Sequence, residues 1–268
     1  NKARFSGQYS QETIDYLNLI FDTREPWTVH LNRLDGEDIT LTFNQHYHSS
    51  NGHFILYYCD SNCTVDGVNH NTTLQYIETI AQRLEHAWDT VLNAPYSFRE
   101  PVDNEIIVQI YDIPGALGYT WDANDITIRL NNSLSIDTSN PLSDVEETTT
   151  VHEFFHDVQF AYDSGENNWM IEGTARWIQD AVYDSNNGYT GSFDTTCNFD
   201  GSQCFMDNPD RNLLNLSYEA VLFWKYFSEQ YTAQTSSNDE PYVGVDVIRS
   251  LWEEAGKLFT NGTEAVEN

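Results

Sequence analysis

Residues 54–58, Phe54-Ile-Leu-Tyr-Tyr58, form an unbroken apolar run of strand length, the pattern of a strand buried on both faces. Residues 105–110 read as a second β segment. Residues 126–130 alternate Ile126, Ile128 and Leu130 against Thr127 and Arg129, which predicts a strand with one buried face. Between the first two segments Leu74, Ile77, Ala81, Leu84, Ala87, Trp88 and Val91 recur at helical spacing. Thr72 or Thr73 is placed to cap that helix, which runs to about residue 92. Residues 115–121 read as a loop. A further helix is predicted from Ser143 or Asp144 to about residue 162, and others over 171–183, 217–231 and 243–258. Near the start, a helix is expected over 10–22, with Ile14, Leu17 and Phe21 on one face, followed by short strands near 28–31 and 39–43. Strands mixed with helices come first and helices alone come last, which predicts an α+β fold with a mixed sheet and a mainly helical C-terminal part. Three parts are expected: an accessory segment 1–50, a sheet-bearing part 51–164 and a helical part 165–268.

Charge changes the picture of partners. Across 268 residues, 42 Asp and Glu face 12 Lys and Arg, a formal charge of −30. Phosphate backbones need a basic face, so no nucleic acid is expected as a partner. The carboxylates are spread along the chain, which predicts an acidic surface rather than an acidic arm. Such a surface suits life in high salt, where self-repulsion is screened, and equally an ordinary acidic secreted protein. With 40% hydrophobic residues the chain can bury a core. No run of 18 apolar residues occurs, so no membrane span is expected. The chain opens without a charged-then-apolar leader and without Met, and reads as a mature or trimmed fragment. Four cysteines fall as local pairs, Cys59/Cys63 and Cys197/Cys204, neither spaced as a zinc ribbon or redox site. Two short-loop disulfides in a secreted, extracellular protein are the expected use. Sequons begin at Asn62, Asn71, Asn131, Asn215 and Asn261, but an Asn-rich chain produces these by chance.

The segment Thr150-Val-His-Glu-Phe-Phe-His-Asp157 carries the chemistry. On a helix, His152 and His156 lie four apart on one face and can offer two neutral nitrogens to one metal ion. Glu153 stands one position round, beside such an ion rather than on it, where it can take a proton from an activated water. Sixteen residues after His156, the run Trp169-Met-Ile-Glu-Gly-Thr-Ala-Arg-Trp177 places Glu172 early in a new helix. The turn formers of residues 163–168 allow that helix to fold back and deliver Glu172 as a third ligand. Ala175, one turn on, would let the two helices approach closely. Three protein ligands plus an open position is the pattern of a catalytic zinc site.

These motifs resemble the gluzincin branch of the zincin metallopeptidases, especially secreted bacterial or archaeal enzymes with an HE-[FY]-[FY]-H-x-x-Q run and a downstream E-[GA]-x-A-x-W. The tight likeness covers about residues 144–183, and a looser one spans 53–231. The resemblance implies a zincin-like fold, Zn2+ held by His152, His156 and Glu172, and Glu153 as general base. It also implies an edge strand near 126–130 that holds an extended protein or peptide substrate by strand addition. Tyr218 is the first choice for the oxyanion donor, with Tyr162 and Tyr119 as rivals; no His follows His156 to take that role. The chain departs from the family in several places. Gln159 and Tyr162 stand where a metzincin would have Gly and a third His. Arg176 stands where some gluzincins place an acid that orients a His, so the outer support must come from elsewhere, with Asp180 and Asp157 as candidates. The His-to-Glu spacing is also shorter than in the best-known members.

Other clusters carry less. His46-x-His48 reads as a surface pair, and His30, His53, His70 and His86 as structural. The acid-rich segments 122–125, 163–168 and 207–210 are candidate Ca2+ loops without the EF-hand pattern. The expected function is a zinc-dependent endopeptidase that hydrolyses peptide bonds by a metal-activated water. The alternative is a non-catalytic, zinc-stabilised binding or adhesion domain.

Overall fold

A computed structural model describes residues 27–32, 38–120, 127–134, 145–192, 210–231 and 243–257. The predicted helix over 10–22, the Cys197/Cys204 pair and the segments 122–125 and 207–209 lie outside them.

A five-stranded mixed sheet is the scaffold. Its strands are β3 (Gln45–His48), β4 (Phe54–Tyr58), β7 (Ile106–Tyr111), β8 (Gly118–Thr120) and β9 (Ile128–Asn131), in the order β3-β4-β7-β9-β8. The three central strands are parallel and both edges are antiparallel. The parallel β4–β7 connection needs a crossover, and helix α1 (Leu74–Leu92) supplies it. Thr73 caps α1, its hydroxyl accepting the Tyr76 N–H at 3.2 Å. Ile77, Ala81, Leu84, Ala87 and Val91 are buried along one face as their spacing predicts, with Trp88 partly buried and Ile80 buried in addition, but Leu74, the first residue of the helix, is exposed.

Strand β4 is buried at every residue because both faces of the sheet are covered. Phe54, Leu56 and Tyr58 point into the main core with Val108, Ile110, Ile128 and Leu130. Ile55 and Tyr57 point the other way, onto a hairpin of β1 (Trp27–Asn32) and β2 (Asp38–Phe43). Ile39, Leu41 and Phe43 line that second layer, and Trp27 lies against Tyr57 with ring centroids 4.4 Å apart. A short hairpin of β5 (Thr64–Val65) and β6 (Val68–Asn69) follows a Cys59–Cys63 disulfide.

Helix α2 (Val145–Phe160) crosses the core side of the sheet and is buried at every position from Thr149 to Gln159. A helix enclosed on all sides must satisfy its polar side chains internally. Four more elements complete the layer: α3 (Asn168–Val182), a 3₁₀ turn over Tyr218–Ala220, α4 (Val221–Tyr231) and α5 (Val245–Ala255). Five helices and a mixed sheet make the described residues an α+β protein. Within them no helix is long and apolar enough to cross a membrane. Trp224 stacks on Trp169 at 4.8 Å and donates its indole N–H to the Trp169 carbonyl at 2.7 Å. Gly173 makes that contact possible, since a Cβ there would meet the Trp224 ring nitrogen at 2.6 Å. That close approach, at Gly173 against α4, had no signal in the residue pattern.

Candidate metal centre

Two adjoining helices build the centre. α2 carries His152 and His156 one turn apart, their rings edge-to-face with centroids at 4.7 Å. α3 begins at Asn168, three residues before the expected start, so Glu172 sits in its second turn, away from the N-terminal dipole. From there its Oε2 reaches His152 Nε2 at 3.1 Å and His156 Nε2 at 3.6 Å. One donor atom from each residue lies within 4.8 Å of the others, the single group of this kind among the described residues.

The two distances from Glu172 bracket the spacing that a small divalent ion needs between neighbouring donors. Metal–ligand bonds of about 2.0–2.2 Å at a tetrahedral angle put neighbouring donors roughly 3.3–3.5 Å apart. Two of the three protonation states lean the same way. Burial alone would raise the Glu172 carboxyl, but the two imidazoles facing it hold it well below the usual carboxylate range. Burial lowers His152 and outweighs Glu172, which favours the neutral ligand form. Burial also opposes charging His156, yet Glu172, Glu153 and Gln159 together raise it to about 9. A cation bound there displaces that proton, because only the neutral ring is a ligand.

His156 is held from behind by Gln159. Its Nδ1 lies 2.7 Å from Gln159 Oε1, and the Gln159 amide donates to the Ile171 carbonyl at 2.8 Å and to Thr174 Oγ1 at 2.9 Å. Thr174 in turn donates to the Met170 carbonyl and accepts the Trp252 indole N–H at 3.1 Å. The ring of this candidate ligand is therefore braced through a neutral amide by α3 and α5. Neither expected acid does this. Asp180 pairs with Lys225 at 2.6 Å, and the buried Asp157 has no hydrogen-bond partner for either oxygen among the described residues. Charge pointed to those two acids; the 3-residue helical offset from His156 to Gln159 was the signal that could have located the brace. Gln159→Leu is expected to weaken zinc binding by about 10–100-fold, read by competition with a chromogenic chelator.

Glu153 stands on the sheet side of the helix. The Thr120 hydroxyl donates to its Oε2 at 3.0 Å and to its backbone carbonyl at 3.2 Å. Burial pushes the carboxyl up to about 7, with His156 and Thr120 opposing and Glu172 adding. Thr120 belongs to β8, and β8 is the edge: β9 lies inside the sheet, hydrogen-bonded to β7 on one side and β8 on the other. The expected edge strand at 126–130 is thus corrected to Gly118–Thr120, inside the segment that reads as a loop. Three residues are too few for a periodic signal. Gly118 permits the approach, because a Cβ there would sit 2.9 Å from the Arg129 carbonyl and 3.1 Å from Glu153 Cγ.

Of the three tyrosines, only Tyr218 lies at the centre, its ring stacked on His152 at 5.7 Å. The Tyr162 hydroxyl accepts the Arg99 N–H at 2.7 Å, past the C-terminal end of α2. Tyr119 packs on the opposite side of the sheet and hydrogen-bonds Tyr111. His53 is structural as expected: it stacks on Trp88 at 4.1 Å and meets the buried Glu85 at 2.7 Å. His46 and His48 sit edge-on at 5.6 Å on edge strand β3, with Glu105 3.8 Å from His48. In the 163–168 segment Asp163 closes a turn by accepting the Gly165 N–H.

Compared with protein families, with curated proteins and with solved structures, the chain matches none. The geometry alone carries the functional reading.

Proposed function

We propose that this protein is a zinc-dependent endopeptidase of the gluzincin kind, with a zincin-like arrangement of edge strand and active-site helix, and that it is secreted. The convergence of two imidazoles and one sequence-distant carboxylate, with an acidic side chain poised beside them, is the observation that carries the reading. His152, His156 and Glu172 are the residues that would hold the ion. Zinc bound there supplies Lewis-acid polarisation of the scissile carbonyl and lowers the pKa of the attacking water.

The side chains do the rest. Glu153 takes the proton of that water and hands it to the leaving amine. Thr120 occupies one carboxylate oxygen and so fixes which oxygen receives the proton. The backbone of β8 pairs with an extended peptide and sets its carbonyl over the His152–His156 face. Tyr218, stacked on His152, donates to the developing oxyanion. Tyr218→Phe is expected to lower kcat by about 10²–10³-fold with little change in KM, measured by steady-state kinetics on a peptide substrate.

Casein digestion with and without a chelator tests the proposal. Digestion stops on chelation and returns when zinc is restored. A protein that binds zinc and digests neither casein nor a peptide mixture is the binding-domain alternative instead.

A further inference from the structure

The two helices of the metal centre run antiparallel. Gln159, near the end of α2, meets Ile171 and Thr174 near the start of α3. At the other end of the pair, Gln179 of α3 donates its side-chain amide to the Thr148 carbonyl of α2 at 2.9 Å. Here the helices line a cavity of about 140 Å³. Thr148 and Thr149, four and three residues before His152, line it from α2. Arg176, four residues after Glu172, lines it from α3 with Gln179 and Asp180. Residues three and four apart lie on one side of a helix, so the cavity continues the side that carries His152 and Glu172. One helical turn is about 5.4 Å, the reach of a side chain from a carbonyl held at the ion. Leu117, 48% exposed, also lines the cavity and immediately precedes β8, the strand proposed to hold the substrate.

The cavity is well below the roughly 300–1,000 Å³ of a site for a whole small molecule, and suits a single side chain. Its charged groups are already engaged. Arg176 donates to the Gly188 carbonyl at 2.9 Å, and Asp180 meets Lys225 at 2.6 Å, an ammonium it shares with Glu229 at 3.6 Å. One charge of each sign stands in the wall, so an acidic or a basic side chain meets repulsion there as well as attraction. The neutral polar groups are the ones left open. The hydroxyls of Thr148 and Thr150 bond back to the Val145 and Glu146 carbonyls at 3.4 and 2.7 Å, the usual arrangement for threonine within a helix. The Thr149 hydroxyl has no hydrogen-bond partner among the described residues, although the residue is only 4% exposed. Gln179 commits its NH2 to the Thr148 carbonyl, which can only accept, and its Oε1 accepts no hydrogen bond among the described residues. An apolar side chain in the cavity would strip water from this hydroxyl and this amide oxygen and give nothing back. A carboxamide answers both, donating to Gln179 Oε1 and accepting from Thr149.

We propose that this cavity receives a substrate side chain next to the scissile bond, and that Thr149 and Gln179 make the enzyme select Gln or Asn there. The inference rests on the peptidase reading and names its substrate class. It places the selection in hydrogen bonds to two uncharged side chains, where an analogue of the same size that lacks the amide is rejected because it leaves them unpaired.

Peptides that differ only at the two positions flanking the cleaved bond, carrying Gln, Glu, Leu or Lys, supply the test. At one of these positions the wild type is expected to cleave the Gln peptide with kcat/KM at least about fivefold above the other three. Thr149→Val keeps the shape of the side chain and removes a hydroxyl without a partner among the described residues, so folding is not at stake. Gln179→Met removes the amide oxygen at similar length. Each is expected to cut the Gln-to-Leu ratio at least about threefold. A wild type that does not favour Gln at either position overturns the inference while leaving the peptidase standing. So does a Gln preference that both folded variants keep unchanged. If no peptide is cleaved, the peptidase reading falls, and the pocket is read by NMR titration with acetyl-glutamine amide and acetyl-leucine amide. Tighter binding of the glutamine compound that Thr149→Val weakens keeps the pocket, and equal binding of the two compounds ends it.

Discussion

Glu153→Gln is expected to lower peptide hydrolysis by about 10²–10⁴-fold, the range for a positioned general base, while zinc content is unchanged. Gln keeps the shape of Glu and an oxygen to accept the Thr120 hydroxyl, but it cannot receive a proton. Stability should move the other way. Burial raises the carboxyl from 4.5 to about 7, so the folded state holds its proton more tightly than the unfolded state does. The ionised group therefore costs stability, beginning as pH rises through 4.5 and complete above about 7, by up to roughly 3 kcal/mol. Chelated Glu153→Gln should accordingly melt at or above chelated wild type at pH 8. Activity has the opposite pH sense, because the carboxylate is the base in the proposed reaction: it is expected to rise with pH through the carboxyl's pKa. A cation beside the carboxyl favours its ionised form, which places that rise below about 7. Equal hydrolysis by the two proteins would remove Glu153 as base. A variant that melts far below wild type would trace any loss of activity to folding.

What could be read along the chain follows from the range of each interaction. The run at Phe54–Tyr58 is legible because five consecutive buried residues leave a local trace. The stripe of α1 is legible for the same reason, and so is Thr73 as a cap, its bond spanning three residues. Strand order leaves no such trace. That β9 lies between β7 and β8, and that a three-residue strand forms the edge, depends on pairing with residues in another part of the chain. Glu85 shows the limit most clearly. It sits among the apolar residues of α1 and would pass for a solvated position, yet it is buried against Ser49, Asn51 and His53, 32–36 residues away.

The candidate site divides along the same line. His152, Glu153 and His156 are fixed by helical geometry over one turn. Glu172 required a second inference, that a turn-rich loop returns the chain, and the structure brings its carboxylate onto both rings. The supporting groups were misread where charge was the guide. An acid was expected behind a histidine, and a neutral amide stands there, because Gln159 can accept from His156 and donate to α3 at once, which a carboxylate cannot. Arg176 could be noted as a departure from a pattern, but its place in a cavity wall emerges only from the register of two packed helices.

That register makes Glu172→Ala the sharpest test of the centre. The substitution leaves α2 and its two histidines in place and removes the one candidate ligand that comes from α3. Two imidazoles on one helix remain, and the ion loses a ligand and the negative charge that favours it. Zinc affinity is expected to fall by more than the 10–100-fold cost of disturbing an outer support, so that dialysed protein holds well under one ion per chain by elemental analysis. Linkage offers a second readout. An ion that binds only the folded protein adds about 4 kcal/mol at a thousand times its Kd, so chelation should lower the melting temperature of wild type by several degrees. The variant, which holds little zinc, should melt at the same temperature with and without the chelator. Zinc content equal to wild type would disqualify Glu172 as a ligand. A wild type whose melting is indifferent to chelation would mean that no ion is held between α2 and α3.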